Sequence, residues 1–405
     1  MEKGQALAGV KVLDLTQYIA GPFCTKLLAG YGADVVKVEK PGEGDPARKL
    51  GPFYRDEVQP EKSGLFLYLN MGKRGITLNL KHPMGLDIFK ELVKEADIVV
   101  ESFRPGVMAR LGLDYKTLEK INPKLVMTSI SNFGQTGPYR NYRTSELVLH
   151  GMGEHMISSG RDDREPVRAG ETISLHQVGI TAAVGTLGAF LGSVFHGVGQ
   201  YVDMSMIEAL TVGGPNHKNT CLIAYQYCGE EQPRVLEEWT GYPHGAFPCQ
   251  DGYFSIYGGR VYWDRIVKML GEPEVLLDPK WTTPIAQSDP FLKEEFVALL
   301  LSWSMQHTKR ECMEIAQEYR VPCVAAQEIS EVVADPHFNE RGVFIELSHP
   351  IVGKLKYPGR PFIMSETPFQ MERPAPLLGQ HNPEVYVEIG YSGEDLTRLA
   401  EWRVI

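Results

Sequence analysis

The first forty residues constrain the fold most, because a strand pattern, a helix pattern and a second strand pattern follow one another. The apolar runs Val10–Leu15 and Ala33–Glu39 predict strands, and Gly21-Pro22 opens a helix that continues to about Gly30. Proline is harmless in a first helical turn, where its missing N–H would have no partner. This unit implies parallel strands joined by a right-handed crossover.

The alternation continues through the first half of the chain. Further strands are predicted at 76–80, 97–101 and 124–130, and helical spacing of apolar residues predicts a helix over 84–96. We therefore predict an α/β fold with a Rossmann-like, doubly wound large domain. We assign this domain to residues 1–225 and 331–405, with a smaller α+β domain over 226–330.

Composition excludes several function classes. The net charge of −10 argues against a nucleic-acid partner, which would require a basic stripe. Six cysteines without a Cys-x-x-Cys pair disfavour a zinc or disulfide framework, so we expect no metal site and a reducing, cytoplasmic location. The N-terminus has no signal-peptide pattern.

Residues 172–202 contain no Asp, Glu, Lys or Arg, which is long enough to span a bilayer. The segment also carries six glycines together with His176, Gln177 and His196. We interpret it as a buried, tightly packed helix, and a membrane segment is the alternative. His176, at its start, is interpreted as a core or capping histidine.

The loops after the strands favour a phosphate-bearing ligand. The turn Thr16–Pro22 lacks Gly-x-Gly-x-x-Gly and the chain has no P-loop, so an NAD dehydrogenase is disfavoured. Loops at the carboxyl ends of parallel strands bind ligands. Basic residues recur there, and solvated surface charge is the alternative for each one taken singly: Lys40, Arg48, Lys73, Arg74, Lys81, Arg104 and Arg110.

The chain resembles class III CoA-transferases, the formyl-CoA and carnitine CoA-transferase type, over nearly its whole length. The resemblance rests on segments in the family's order: "LAGVKVLDLTQYIAGPFCTKLLAGYGADVVKVEKPGEGDPAR", "NMGKRGITLNLKHPMG", "ADIVVESFRPGVMARLGLDYKTLEKINPKLVMTSISNFGQTGP", "EPVRAG", "GVGQYVDMSMIEAL", "YRVPCVAAQEISEVVADPHF" and "PLLGQHNPEVYVEIGYS".

The resemblance implies two-domain subunits that interlock as two rings, with no permanently bound cofactor and with acyl-CoA as substrate. In this family an aspartate attacks the donor thioester and forms a mixed anhydride, and the returning CoA thiolate then gives an aspartyl thioester. The acceptor carboxylate reverses these steps. The chemistry needs an ionised carboxylate that is shielded from water.

The resemblance also assigns the coenzyme A contacts. Ser102 stands where the family usually has Asn, Ser145 replaces an aromatic residue near the CoA tail, and Glu146 keeps an acid beside the nucleophile. The CoA-binding residues implied in this way are Ile19, Ala20, Lys40, Asn79, Leu80, Lys81, Ser102, Phe103, Arg104 and Arg110.

The nucleophile is the point of departure from the family. The family pattern is Pro-Val-x-x-Gly-x-x-x-x-Asp, with a glycine four residues after the aspartate. Pro166–Gly170 and Gly179 match it from the two sides, and both matches put Leu175 at the aspartate position. Leucine has no lone pair, so no catalytic residue is intact. Glu146 and Glu171 are weak substitutes.

We therefore predict a silent subunit of a heteromeric CoA-transferase, whose paralogous partner carries the aspartate. Heteromeric members such as succinyl-CoA:benzylsuccinate CoA-transferase suggest succinyl-CoA and an aromatic dicarboxylate as substrates, as in anaerobic aromatic degradation. Three alternatives stay open: an active homodimer using Glu171 or Glu146, a CoA-binding regulatory protein, and an acyl-CoA racemase. The racemase is disfavoured because it needs a His-Asp pair where Ser145-Glu146 stands, and an acid at Leu175.

Overall fold

The computed structural model describes residues 4–153, 156–157, 159–160, 163–168, 170, 172–212, 216–229, 241–283 and 285–405. The chain divides into two compact units. The large unit comprises Met1–Ile157, Val167–Glu231 and Glu340–Ile405, and the small unit comprises Ser158–Pro166 and Gln232–Asn339.

The large unit is built on a six-stranded parallel sheet, which confirms the predicted doubly wound fold. The strands run in the order β3-β2-β1-β4-β5-β6, so the order reverses between β1 and β4, where open α/β sheets bind ligands. The strands are β1 (Lys11–Leu15), β2 (Asp34–Glu39), β3 (Arg74–Thr77), β4 (Ile98–Glu101), β5 (Val126–Ser131) and β6 (Tyr201–Ser205).

Helices cover both faces of this sheet, because each strand is apolar on its two sides. They are α1 (Ala20–Gly30), α2 (Gly64–Asn70), α3 (Pro83–Glu95), α4 (Val107–Arg110), α5 (Tyr115–Leu118), α6 (Glu146–Met152), α7 (Ile173–His196), α8 (Met206–Val212) and α9 (Asn216–Cys228). Short 3₁₀ turns complete the connections.

The third strand lies earlier than predicted. We expected it at 76–80, but its ladder with β2 pairs Val36 with Arg74 and Glu39 with Thr77. The chain then turns, and the Asn79 side-chain oxygen accepts a hydrogen bond from the Lys81 backbone N–H at 3.1 Å. Asparagine favours such a turn over a continued strand.

The small unit has its own apolar core around Trp263, Trp281 and Phe296. Its three-stranded antiparallel sheet runs in the order β7-β8-β9. The elements of this part are β7 (His244–Cys249), β8 (Gly252–Tyr257), α10 (Trp263–Met269), α11 (Pro290–Ser304), α12 (Lys309–Glu318), β9 (Cys323–Ala325), α13 (Ile329–Ala334) and α14 (Pro336–Glu340). The predicted linker 229–240 lies, after Gly229, outside the described residues.

The C-terminal segment closes the open edge of the large sheet at β3. It contains the hairpin β10 (Phe344–His349) and β11 (Gly353–Pro358), then α15 (Asn382–Glu388) and α16 (Gly393–Glu401). The Gly75 N–H donates to His381 Nδ1 at 3.0 Å, and the Thr77 N–H donates to Asn382 Oδ1 at 2.8 Å. Tyr386 donates its hydroxyl to the Thr77 carbonyl at 2.6 Å. Edge groups that would otherwise be unpaired are thus satisfied.

A buried ion pair fixes the turn that follows β1. Lys73 Nζ lies 2.8 Å from Asp14 Oδ2 and also donates to the Pro22 carbonyl at 2.9 Å. Asp14 further accepts hydrogen bonds from the hydroxyls of Thr16 and Thr25. Burial opposes ionisation of Asp14, but the charges of Lys73 and Lys37 outweigh it and lower the pKa of Asp14 to about 2. The turn is therefore tied to strand β1 and to Lys73.

A second buried network holds the loop after β2. Lys37 Nζ lies 2.8 Å from Asp45 Oδ2, and Arg48 makes two hydrogen bonds to Glu39 at 2.7 and 2.8 Å. Lys37 also donates to the Thr16 carbonyl at 2.9 Å. The two networks therefore share the β1 turn, and both lie at the carboxyl ends of the strands.

The long helix α7 has one buried face and one exposed face. The inward face carries small residues such as Val178, Ala182 and Ala189, which lie in one core cluster with α1 and the sheet. The outward face carries Ile180, Val184, Leu191, Val194 and Phe195, each at least half exposed. The prediction of a buried helix holds for the inward face only, because the side chains there are small and the larger apolar side chains point outward.

By length and apolar composition α7 is also the one helix in the described parts of the chain that could cross a membrane. A core helix passes the same test, so this alone is weak support for a membrane segment.

We predict that Gly179→Ala destabilises the chain by about 1–3 kcal/mol, since an added Cβ would lie 2.6 Å from the Ala20 carbonyl oxygen. Gly188→Ala, in the same helix, is the matched control, because no atom lies within 4 Å of its added Cβ. It should stabilise by up to about 1 kcal/mol. Urea unfolding of both variants would measure this, and equal effects would contradict the close contact between α1 and α7.

We also predict that Asp14→Asn costs about 3–5 kcal/mol of unfolding free energy, since it leaves the buried Lys73 ammonium without its counter-charge. Glu95→Gln removes the partner of the exposed Lys11, 3.4 Å away, and should cost less than about 1 kcal/mol. The comparison uses urea unfolding midpoints. An Asp14→Asn effect as small as the control would show that the pair does not hold the turn.

Candidate functional site

The residues predicted to bind coenzyme A follow β1, β2, β3 and β4, so the structure brings them to one edge of the sheet. Ile19 and Ala20 begin α1, Lys40 follows β2, and Asn79-Leu80-Lys81 follow β3. Ser102-Phe103-Arg104 follow β4, and the Ser102 hydroxyl accepts a hydrogen bond from the Gln17 N–H at 2.8 Å. That bond joins the β1 and β4 loops at the point where the strand order reverses.

One cavity of about 560 Å³ lies among the loops that follow β4 and β5. Four arginines line it, together with serine, asparagine and threonine groups, so it suits an anion with several oxygens. Arg104 and Arg110 were predicted, whereas sequence reasoning missed Arg140 and Arg143, which follow β5 in a loop. The predicted residues that line this cavity are Ser102, Phe103, Arg104 and Arg110.

The other predicted contacts do not line this cavity. Lys40 is exposed and forms an ion pair with Glu43, whose pKa is lowered by the hydrogen bond and charge of Lys40. Asn79 is engaged with backbone, since its N–H donates to the Val404 carbonyl at 2.7 Å and its side-chain amide donates to Arg403 at 3.3 Å. These groups hold the β2 and β3 loops.

Leu175 lies in the first turn of the long helix α7 and is partly buried. It packs against the cluster of Ile19, Phe23 and Leu69, next to the first βα turn. The preceding residue, Ser174, shares a short hydrogen bond with the imidazole of His150 on α6. The helix thereby brings an aliphatic side chain, and no oxyanion, to the turn where the CoA contacts begin.

The two weak substitutes differ in what the structure describes. Glu146 begins α6, one turn before His150 on the same helix face, and its Oε1 is buried without a hydrogen bond among the described residues. Ser145 precedes it and is exposed. Glu171 lies outside the described residues.

Sequence reasoning missed a buried lysine over the Phe23 ring, which also belongs to the cluster against which Leu175 packs. Lys26 on α1 is only 2% exposed, and its ammonium lies 3.5 Å from the Tyr68 ring centroid and 5.5 Å from that of Phe23. Burial, followed by the charge of Lys73, lowers the pKa of Lys26 to about 7. The available signal was a single lysine inside the otherwise apolar run "AGPFCTKLLAG".

Aromatic rings surround this lysine. The His176 ring lies 4.8 Å from Phe23, edge-on, and 6.3 Å from Tyr68. His176 Nδ1 is 3.0 Å from the Thr172 carbonyl, four residues earlier, and among the described residues no side chain caps the N-terminus of α7. Of the two predicted roles, the ring contacts agree with a core histidine. Phe23 and Tyr68 therefore connect Lys26 to the start of α7.

A buried acid lies elsewhere on the sheet. Burial raises the pKa of Glu101 to about 7, and its carboxylate accepts the Phe103 N–H at 2.6 Å. This bond holds the start of the β4 loop. In the described parts of the chain, no three His, Cys, Asp or Glu side chains gather as a metal site would require.

Several known proteins are similar to this chain in sequence and in fold. The profile of CoA-transferase family III matches residues 7–382. Succinyl-CoA–D-citramalate CoA-transferase of Chloroflexus aurantiacus is 33% identical, with 98% of each chain covered. Succinate–glutarate CoA-transferase of Agrobacterium fabrum is 31% identical, with 95% of each covered.

A formyl-CoA:oxalate CoA-transferase of Bradyrhizobium is 32% identical and covers 98% of this chain and 96% of its own length. The crystal structure of a CAIB/BAIF family protein from Brucella suis superposes with a TM-score of 0.85 at 29% identity, over 95% of this chain and 100% of that one. With the switch-point site and the arginine cavity, these matches establish that the chain belongs to CoA-transferase family III, whose substrates are CoA thioesters and carboxylates.

Proposed function

We propose that this chain is the non-nucleophilic subunit of a heteromeric CoA-transferase, and that a paralogous partner supplies the catalytic aspartate. Leu175 carries the proposal. It packs among Ile19, Phe23 and Leu69 at the first βα turn, where the family's chemistry needs a carboxylate. A saturated hydrocarbon side chain cannot attack a thioester, whatever its position.

The arginine cavity supports retention of CoA binding. Arg104, Arg110, Arg140 and Arg143 offer guanidinium groups suited to the phosphates of coenzyme A. Neither the cavity nor the loop joined by Gln17 and Ser102 depends on Leu175. A chain that lost its nucleophile can therefore keep its nucleotide site.

The outward face of α7 supports a partner subunit. Its exposed residues recur at spacings of seven and four, namely Ile173, Ile180, Val184, Leu191 and Phe195, which form one stripe along the helix. A continuous apolar stripe of this length is typical of a surface that another protein covers. An interlocked dimer would cover it, and the partner would need this chain to complete its fold.

The names of the relatives indicate which class of acid this chain's complex would use as substrate. Their names include succinate, glutarate, oxalate and citramalate, all dicarboxylic acids. We therefore propose succinyl-CoA as donor and a dicarboxylic acid as acceptor, with an aromatic dicarboxylate as the finer version. We expect the complex to work in the cytoplasm. The rival is an active homodimer that uses Glu146, whose Oε1 is buried without a partner among the described residues.

We predict that the chain expressed alone forms no covalent CoA adduct with succinyl-CoA and exchanges CoA at least about 10⁴-fold more slowly than the complex with its partner. Leu175→Asp should introduce an adduct on this chain, and Leu175→Asn, of the same size without the charge, should not. Mass analysis of the intact protein measures this. An adduct on the unaltered chain, abolished by Glu146→Gln, would establish the homodimer instead.

We further predict that Arg104→Met and Arg143→Met each weaken CoA binding about ten- to a hundredfold, since each removes a charged hydrogen-bond donor worth about 1.5–3 kcal/mol. Lys90→Met, on α3 and away from this cavity, is the charge-matched control and should change the affinity less than twofold. Calorimetric titration of CoA would measure all three. Equal affinities throughout would remove the cavity from the CoA site.

A further inference from the structure

We propose that the place beside Leu175 is a binding site for the carboxylate group of a free organic acid, held by Lys26 and the N-termini of α1 and α7. The proposal rests on the proposed function, since it assigns the acid substrate of the same family chemistry to a subsite of its own. It goes beyond the nucleotide cavity, to which Lys26 does not contribute.

Lys26 is the first observation, because its ammonium has no hydrogen bond and no ion pair within the described part of the chain. Among the described residues, the ammonium instead makes cation–π contacts with the faces of the Tyr68 and Phe23 rings. Long side chains on a helix lean toward its N-terminus, and the ammonium accordingly lies over Phe23, three residues earlier in the first turn of α1. A buried cation without an anion is costly unless a ligand supplies the missing charge.

The two helix starts are the second observation. Neither α1 nor α7 has a side-chain cap or an acidic residue in its first turn. The first N–H groups of a helix have no partner within it and carry partial positive charge. Both helices exceed eight residues, with 11 in α1 and 24 in α7, so each presents a full dipole end to an anion.

Phe23, in the first turn of α1, contacts both the Lys26 ammonium and His176 in the first turn of α7. Leu175 packs against the cluster that contains Phe23, and the His176 ring lies 4.8 Å from the Phe23 ring. Further along α7, Gly179 allows contact with the Ala20 carbonyl. The cation over Phe23 therefore faces the same turn as the start of α7.

The chemistry of the surroundings favours a carboxylate over a phosphate. The ammonium carries the one full positive charge of the site, which a single carboxylate neutralises, while the helix N–H groups can donate to the carboxylate oxygens. The Phe23, Tyr68 and His176 rings suit a small planar anion. In a chain with aspartate at position 175, that side chain would supply the negative charge. Here Leu175 supplies none, so an acid from solution takes its place beside Lys26.

Binding should depend on pH through Lys26. The charged and titratable groups that face it are Lys73 beyond the turn, with its partner Asp14, and Tyr68 and His176 on the packed helices. The ammonium is charged below about pH 7 and neutral above it. Affinity for the acid should therefore fall on the order of tenfold between pH 6.5 and pH 8.5.

The test is calorimetric titration of succinate, and of its neutral analogue succinamide, into the full chain. We expect succinate to bind at pH 6.5, succinamide not to bind, and Lys26→Met to weaken succinate binding at least tenfold and to remove its pH dependence. Lys11→Met, a control at an exposed lysine, should bind as the unaltered chain does. If the pH dependence of succinate binding came from Lys73 or His176, it would persist in Lys26→Met.

Leu175→Asp is a second variant, which tests the proposed site even if Lys26→Met does not fold. Its own carboxylate should occupy the site and abolish succinate binding. Repeating the titration with Arg104→Met separates this site from the arginine cavity, since succinate beside Lys26 keeps its affinity and succinate in the cavity binds more weakly. The proposal is overturned by absence of succinate binding, by unchanged binding in Lys26→Met or Leu175→Asp, or by weakened binding in Arg104→Met. CoA binding itself, measured on the unaltered chain, reports separately on the proposed function.

Discussion

The ion pair between Asp14 and Lys73 is the interaction on which the functional end of the large unit depends. It lies at the carboxyl end of β1, and Lys73 also binds the Pro22 carbonyl, so strand, turn and first helix are fixed together. Leu175 and the Lys26 ammonium both pack against Phe23, which that turn presents. A pair buried this deeply is costly to form, which suggests that it is kept for the shape that it imposes.

The sequence alone predicted five of the six strands of the large sheet, with β3 placed two residues too late, because these strands are short apolar runs between turn residues. The assignment of Leu175 to the nucleophile position rests on its fixed spacing from Pro166 and Gly179 and stays a prediction. The sequence was insufficient for Arg140 and Arg143, which follow β5 in a loop that no periodicity organises. Lys26 was missed because a lone lysine in a helix is usually exposed, and only tertiary packing buries it.

The exposure of the outward face of α7 was not predicted, for a related reason. An uncharged segment indicates that both sides are apolar, but it does not indicate which side the chain itself covers. The same helix bears Leu175 at its start and the exposed stripe beyond it. Under the proposed function, this one helix would connect the residue at the nucleophile position with the surface proposed for the partner subunit.

The closure of β3 by the last segment has a consequence for how the protein is made. His381, Asn382 and Tyr386 satisfy the backbone of Gly75 and Thr77, although some three hundred residues separate them. Residues 381–386 are synthesised after the small unit, so the small unit can fold while the large sheet still has an unpaired strand at β3. The large sheet is therefore completed late in synthesis, and nascent chains must be kept from pairing through β3 until this segment emerges.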